Sequence, residues 1–293
     1  MKTSRQLNAL IRNMAKGKNV NEQITLRNYM LERLLERISL SPYKENLILK
    51  GGMLIAAMVG LDARATMDMD TTLRGYPLTE DAIRTVFSDI LAVPVEDNVT
   101  LSLKKLEEIH DGAEYPGIRI TLEMLLDETR QRLKVDITTG DSITPREITY
   151  SFRMLFDDRT IEVKAYNLET VLAEKLETVL SRRTANTRMR DFYDVYILAN
   201  TQKGNIDGAV LKNAFENTVR SRGSEQLLQQ SPTQTLEALR SNKAMQDLWA
   251  RYQKRYSYAN EISWEETLHA VEELCAAALE LSQEQGNGMT MEF

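Results

Sequence analysis

Two aspartates separated by one methionine, Asp68-Met69-Asp70, are the residues of this chain best placed to do chemistry. If DMDTTLRG is a strand, alternate side chains face opposite sides, so both carboxylates share one face and Met69 takes the other. Such a pair can chelate a hard divalent cation, and magnesium favours one or two carboxylates together with substrate phosphates. The competing reading is an aspartate pair on a solvated strand. A third carboxylate lies in LKVDITTG, where Val135 and Ile137 face a core while Lys134 and Asp136 face the other way. Asp136 then either completes a two-metal clamp, takes a proton from an attacking hydroxyl, or sits on an exposed strand. Upstream, Lys50-Gly51-Gly52 ends the apolar run NLIL and opens MLIAAMVGL. Bare backbone N–H groups at a strand-to-helix junction let a phosphate approach closely, although two glycines equally suit a plain structural turn.

A second group begins at Asn167, a candidate N-cap for LETVLAEKLETVLSRR. Leu168, Val171, Leu172, Leu176, Val179 and Leu180 recur at helical spacing, and Lys175 falls inside that apolar stripe. Lys175 therefore either snorkels to water or reaches into a cleft that needs its charge. Arg182, Arg183, Arg188 and Arg190 follow within nine residues. Together they suit a triphosphate or an RNA backbone, or separately they make surface salt bridges. Asp191 and Asp194, three apart on the next helix, are placed to orient neighbouring cations.

These residues need elements to position them. Residues 4–38 read as two helices broken near Gly17, the second with a docking stripe of Leu31, Leu34, Leu35 and Ile38. A short apolar strand over 46–52, ending in two glycines, leads into a buried helix, DMDTTLRG supplies a second strand, and Thr79 or Glu80 caps a helix over 79–91. Residues 117–140 show two apolar runs around a polar turn, which fits a hairpin or adjacent strands, and SFRMLFDDRTIEVKAYN repeats that form with Asp157 and Asp158 in the turn. From Leu168 onward the pattern is helical, with SRGSEQLLQQSPTQ as a polar connector and GNGMTMEF as a frayed end. The reading is an α/β domain over 1–166 and a helical domain over 167–293, so a role shared by the two groups requires the domains to face each other across a cleft.

Composition sets the outer limits. A chain of 293 residues with 42% hydrophobic content and net charge −6 is that of an ordinary globular protein. Its only histidines are His110 and His269, and Cys275 has no disulfide partner, which argues against zinc fingers and Cys-His nucleophile pairs. Net acidity disfavours a general nucleic-acid coat but allows a local basic cleft. The N-terminal segment lacks a signal-peptide core and no apolar stretch nears the roughly 20 residues needed to span a bilayer. The expectation is a cytoplasmic protein without a membrane partner.

In order along the chain, KGG (50–52), RATMDMD (64–70), KVD (134–136), EKLETVLSRR (174–183) and RMRDFYDVYIL (188–198) resemble the AbiEii/AbiGii toxin family of bacterial nucleotidyltransferases. The resemblance spans about residues 20–200. It implies a polymerase-beta-like nucleotidyltransferase lobe, α/β (α+β) with a mixed sheet, followed by a helical lobe. It further implies a toxin of a type IV toxin–antitoxin or phage abortive-infection system. Such a toxin has a separately encoded antitoxin, often a transcriptional regulator.

Carried over by residue, the resemblance makes Gly51 and Gly52 phosphate-binding glycines, with Lys50 and Thr66 beside the nucleotide, and Asp68, Asp70 and Asp136 the ligands of Mg2+. Lys134 matches the second motif, Lys175 the third, and Asp191 with Asp194 the fourth, where Arg190 stands in place of the lysine common in the family. The implied reaction transfers a nucleoside monophosphate from an NTP to an RNA, notably a tRNA acceptor end, or to a protein, with Lys175 and the arginines offsetting charge. Two alternatives share the pocket: a phosphotransferase or nucleotide hydrolase, and a catalytically idle nucleotide-binding module that acts through a protein partner.

Overall fold

The stripe of Leu31, Leu34, Leu35 and Ile38 is one face of helix α2 (Glu22–Leu40), whose first turn is closed by Asn21, its Oδ1 accepting from the N–H groups of Gln23 and Ile24. The computed structural model describes residues 3–18, 20–109 and 117–279, so His110 and the GNGMTMEF end lie outside them. Helix α1 (Ser4–Lys18) ends one residue past Gly17 and α2 starts at Glu22, so the two helices part near that glycine, as expected. Glu32, Arg33, Glu36 and Arg37 are buried along with the stripe. Arg37 forms two hydrogen bonds with Asp97 (2.7 and 2.9 Å) and a third with the Val99 carbonyl at 3.0 Å. Arg33 lies 3.4 Å from Glu32 and 3.0 Å from Glu36, and Arg159 also pairs with Glu36. The Arg33, Glu36 and Arg37 charges can be buried because each finds an opposite partner.

After α2 the chain forms β1 (Leu47–Lys50), α3 (Gly51–Val59), β2 (Met69–Leu73), α4 (Glu80–Ala92), β3 (Thr100–Ile109), β4 (Gly117–Leu126), β5 (Thr129–Thr138), β6 (Ile148–Arg153) and β7 (Thr160–Ala165). Of the two candidate caps, Thr79 closes α4 through Oγ1, and Glu80 is the first residue of the helix. The strands make one open mixed sheet in the order β3-β4-β5-β2-β1-β7-β6. β2 runs parallel to β5 and β1 parallel to β7, while the other neighbouring pairs are antiparallel. Both expected hairpins are present, β4–β5 and β6–β7. The first turns through Asp127, whose φ of 48° is a left-handed conformation open to Asp.

Ile118, Ile120, Leu122 and Met124 of β4 and Leu133, Val135 and Ile137 of β5 are buried, whereas their alternates face outward. α2 packs on β5 and β7, and α3 on β1 and β2. A cavity of about 630 Å³ lies among α1, α2, α3 and the β6–β7 turn, lined in part by Met14, Glu32, Met53, Ala56 and Leu155.

The chain forms two compact units, Met1–Val171 and Leu172–Phe293. Val171 lies inside α5 (Leu168–Arg182), a little past residue 166, where the hydrophobic pattern changes. The second unit continues with α6 (Met189–Thr201), α7 (Gly208–Ser221), α8 (Thr233–Ser241), α9 (Lys243–Arg255) and α10 (Trp264–Leu279). α10 packs against α6, α7 and α8, with the Trp264 ring 4.9 Å from that of Phe192. Cys275 is fully buried on α10, and burial pushes its thiol up to about 12. No helix among the described residues is long and apolar enough to cross a membrane.

Candidate active site

Strand register brings the acidic residues together. Asp70 of β2 pairs across with Asp136 of β5 on one side and with Lys50 of β1 on the other. Asp136 in turn faces Arg119 of β4, which faces Glu107 of β3. The row Glu107, Arg119, Asp136, Asp70, Lys50 thus crosses five strands on one face of the sheet. Arg119 grips Asp136 with two hydrogen bonds, Nε to Oδ1 and Nη2 to Oδ2, each 2.7 Å. That bidentate pair raises the Arg119 pKa well beyond the ordinary arginine range. Asp68 lies one residue before β2, at a bend rather than within the strand. Its pKa is raised by burial and then by the Asp136 carboxylate, with Lys134, Arg27 and Arg119 opposing the rise. Asp68 and Asp136 therefore sense each other's charge.

The glycines serve Asp70 directly. Gly51 has a φ of 65°, and a Cβ there would sit 2.2 Å from Asp70 Oδ2, so the helix can start against the carboxylate only without a side chain. The Gly52 N–H points at the same oxygen from 3.4 Å. A Cβ on Gly52 would come within 2.8 Å of Thr66 Oγ1 and 3.2 Å of the buried Arg64 guanidinium. Thr66 Oγ1 donates to the Asp68 carbonyl at 3.2 Å, and the Thr66 carbonyl accepts from Asn28 at 2.9 Å, which holds the loop to α2.

Lys50, the last member of the row, has partners of its own. Its Nζ donates to Asp141 Oδ2 (2.7 Å) and Thr138 Oγ1 (2.8 Å). The same Asp141 oxygen accepts from Thr72 Oγ1 at 2.6 Å and from Thr138 Oγ1 at 2.7 Å, and Thr72 also contacts the Tyr166 hydroxyl at 2.7 Å. Burial alone would raise the Asp141 pKa, but Lys50 and the two hydroxyls hold it below the ordinary range. Lys134, by contrast, is exposed on the outer face of β5.

In the helical unit, Lys175 Nζ lies 2.8 Å from Asp191 Oδ1 and 3.0 Å from Asp194 Oδ2, both aspartates being buried. The lysine in the apolar stripe thus reaches two carboxylates rather than water. Arg188 Nε is 3.7 Å from Asp191 Oδ2, and Arg190 donates to the Tyr256 hydroxyl at 3.0 Å. Arg183 reaches Gln230 at 3.2 Å, and Arg182 is exposed at the end of α5.

Arg119 and Asp141 are the residues of the first unit that sequence reading passed over. The alternation in GIRITLEMLL puts Arg119 outward, and its register opposite Asp136 follows from the two-residue turn of the β4–β5 hairpin. Nothing local marks Asp141, whose partner Lys50 is 91 residues away.

Among the described residues, no group of three or more His, Cys, Asp or Glu side chains is arranged to hold a metal ion. What is present is a set of hard carboxylate oxygens, Asp68 and Asp70 with Asp136 alongside, which suits a cation that takes one or two protein carboxylates and completes its shell from phosphates and water.

With this geometry in hand, comparison with known proteins places the chain. The family model for the nucleotidyl transferase AbiEii toxin of type IV toxin–antitoxin systems matches residues 33–273, and the chain belongs to that family. The match continues well past the last motif legible in the sequence. No curated protein matches the chain. Two Helicobacter pylori crystal structures share the fold. JHP933 is 16% identical with a TM-score of 0.52, covering 89% of this chain and 94% of its own. The other, described as a nucleotidyltransferase, is 14% identical with a TM-score of 0.50, covering 89% of this chain and 96% of its own.

Proposed function

We propose that this protein is the toxin of a type IV toxin–antitoxin pair and transfers a nucleoside monophosphate from an NTP to an RNA or protein acceptor, releasing pyrophosphate. The observation that carries this reading is the close approach of Gly51 to Asp70, with Asp136 in register opposite Asp70 on β5, in a chain of the AbiEii family whose open mixed sheet is followed by helices. Asp68 and Asp70 would hold Mg2+, with Asp136 beside them. When bound, the cation neutralises phosphate charge and polarises the transferring group.

The chain's own residues do the rest. Gly51 lets the start of α3 close on Asp70, Arg119 fixes the Asp136 carboxylate in one orientation, and Lys50 with Asp141, Thr72 and Thr138 ties β1, β2 and β5 together beside it. A carboxylate so fixed is positioned to accept a proton from an acceptor hydroxyl. A separately encoded antitoxin of transcriptional-regulator type is the partner this assignment calls for.

The test incubates the full chain with each α-labelled NTP, Mg2+ and total bacterial RNA and follows label onto RNA or protein. Label transfer that disappears in the Asp68→Ala/Asp70→Ala variant is the expected result. If γ-labelled phosphate is transferred or released instead, a phosphotransferase or hydrolase replaces this reading; if nucleotide binds and no label moves, the binding module does.

A further inference from the structure

The outer face of β5 carries a second feature. Arg130, Arg132 and Lys134 occupy alternate positions of β5, opposite in phase to the buried Leu133, Val135 and Ile137, so all three project to the solvent side, where each is exposed. Successive members are two residues apart, about 7 Å along the strand. The next residue in that series is Asp136, and Lys134 is already within electrostatic reach of Asp68. We propose that the solvent face of the β3–β4–β5 sheet is a docking track for the phosphodiester backbone of an extended single-stranded nucleic acid, running along Arg130, Arg132 and Lys134 to the Asp68, Asp70 and Asp136 carboxylates. The assignment of this strand as the acceptor rests on the transfer reading above.

Charge accounting on the face supports the track. Glu123 is offset by Lys104 at 2.9 Å and loosely by Arg130 at 3.5 Å, and Glu107 by Lys105 at 2.6 Å. Asp136 is taken by Arg119. Arg132, in register opposite Glu123, and Lys134, which acts on Asp68 and Glu107, reach those carboxylates only at longer range and make no ion pair with another described residue, so both stay open to a phosphate. A protein partner is the weaker occupant, because a stable protein interface needs apolar or aromatic anchors at its centre. The outward positions of β4 and β5 offer Leu125 alone as an exposed large apolar side chain. Phosphate contacts require only cations and hydroxyls, and Thr121, opposite Lys134, supplies one of the latter. The net charge of −6 excludes a broad coat but not a three-cation line.

The experiment measures binding of a fluorescein-labelled 12-nucleotide single-stranded RNA to the full chain by anisotropy, without NTP, between 50 and 200 mM salt. The Arg130→Gln/Arg132→Gln variant is expected to bind at least tenfold more weakly at 50 mM salt. Its log–log salt slope should be shallower by about 0.7 per lost phosphate contact, about 1.4 in all. Arg240→Gln/Lys243→Gln, which removes two cations from the helical unit, should leave the slope unchanged. Arg132→Glu gives a single charge reversal with the same expected direction, and thermal melts confirm that each variant is folded.

Three binding results overturn the track: no binding by the parent chain at 50 mM salt, an unchanged slope in the β5 variant, or an equal loss in the helical-unit control. Label transfer to a protein that is insensitive to the β5 substitutions also overturns it, in favour of a protein acceptor. If the slope changes as expected while no NTP labels any acceptor, the track stands and the transfer reading fails.

Discussion

A methyl group on Gly51 has nowhere to go. It would meet Asp70 Oδ2 at 2.2 Å in a backbone conformation that L-residues avoid. Gly51→Ala should therefore abolish label transfer and lower stability by roughly 1–3 kcal/mol, read from denaturant unfolding. Lys175 makes the opposite kind of case, since its charge is the partner of two buried carboxylates. Lys175→Met leaves Asp191 and Asp194 facing each other, and a loss of roughly 3–5 kcal/mol is expected, largely recovered by Asp191→Asn in the same chain. At this scale the sequence is legible where chemistry follows a local period. Asp136 and Lys134 alternate with Val135 and Ile137, and the structure puts them on the face that alternation requires. Arg119, Asp141 and the partner of Lys50 are set by register and by contacts many residues apart, which no local pattern records.

Elements were readable in proportion to how one-sided their burial is. The β4–β5 hairpin has one buried face and one wet face, so its alternation and turn identify it. β3 is an edge strand of which no residue is buried, and TLSLKKLEEI accordingly gives no burial signal to read. α2 misleads in the other direction, because its charged residues look like a solvated face and are instead buried as ion pairs. Two substitutions distinguish these situations. Asp97→Ala strands the buried Arg37 and should cost roughly 3–5 kcal/mol. Arg74→Ala breaks a partly exposed pair with Glu147 and should cost less than about 1 kcal/mol, both measured as shifts in denaturation midpoint.

For the molecule as a whole, formal charge and composition proved poor guides to where charge acts. A net −6 conceals an exposed cationic row on β5 and a buried carboxylate, Glu32, whose pKa is pushed up to about 8, first by burial, with Arg33 and the Leu155 N–H opposing. Because the folded state holds that proton more tightly than the unfolded chain, whose value is near 4.5, the contribution is fully present below 4.5 and is lost as pH rises through 8. Stability should fall relative to Glu32→Gln by up to roughly 1.4 kcal/mol per pH unit in that window, checked by denaturant titrations at pH 5 and pH 8. The helical unit carries its own clock. Cys275, the single thiol of the chain, is fully buried and poor in thiolate at neutral pH, so a disulfide reagent should leave the native protein unmodified and modify one sulfur per chain in denaturant. Where reclosing outpaces modification, the labelling rate under native conditions reports the equilibrium between closed and open α10, giving that unit's local opening free energy without a probe having to be engineered into it.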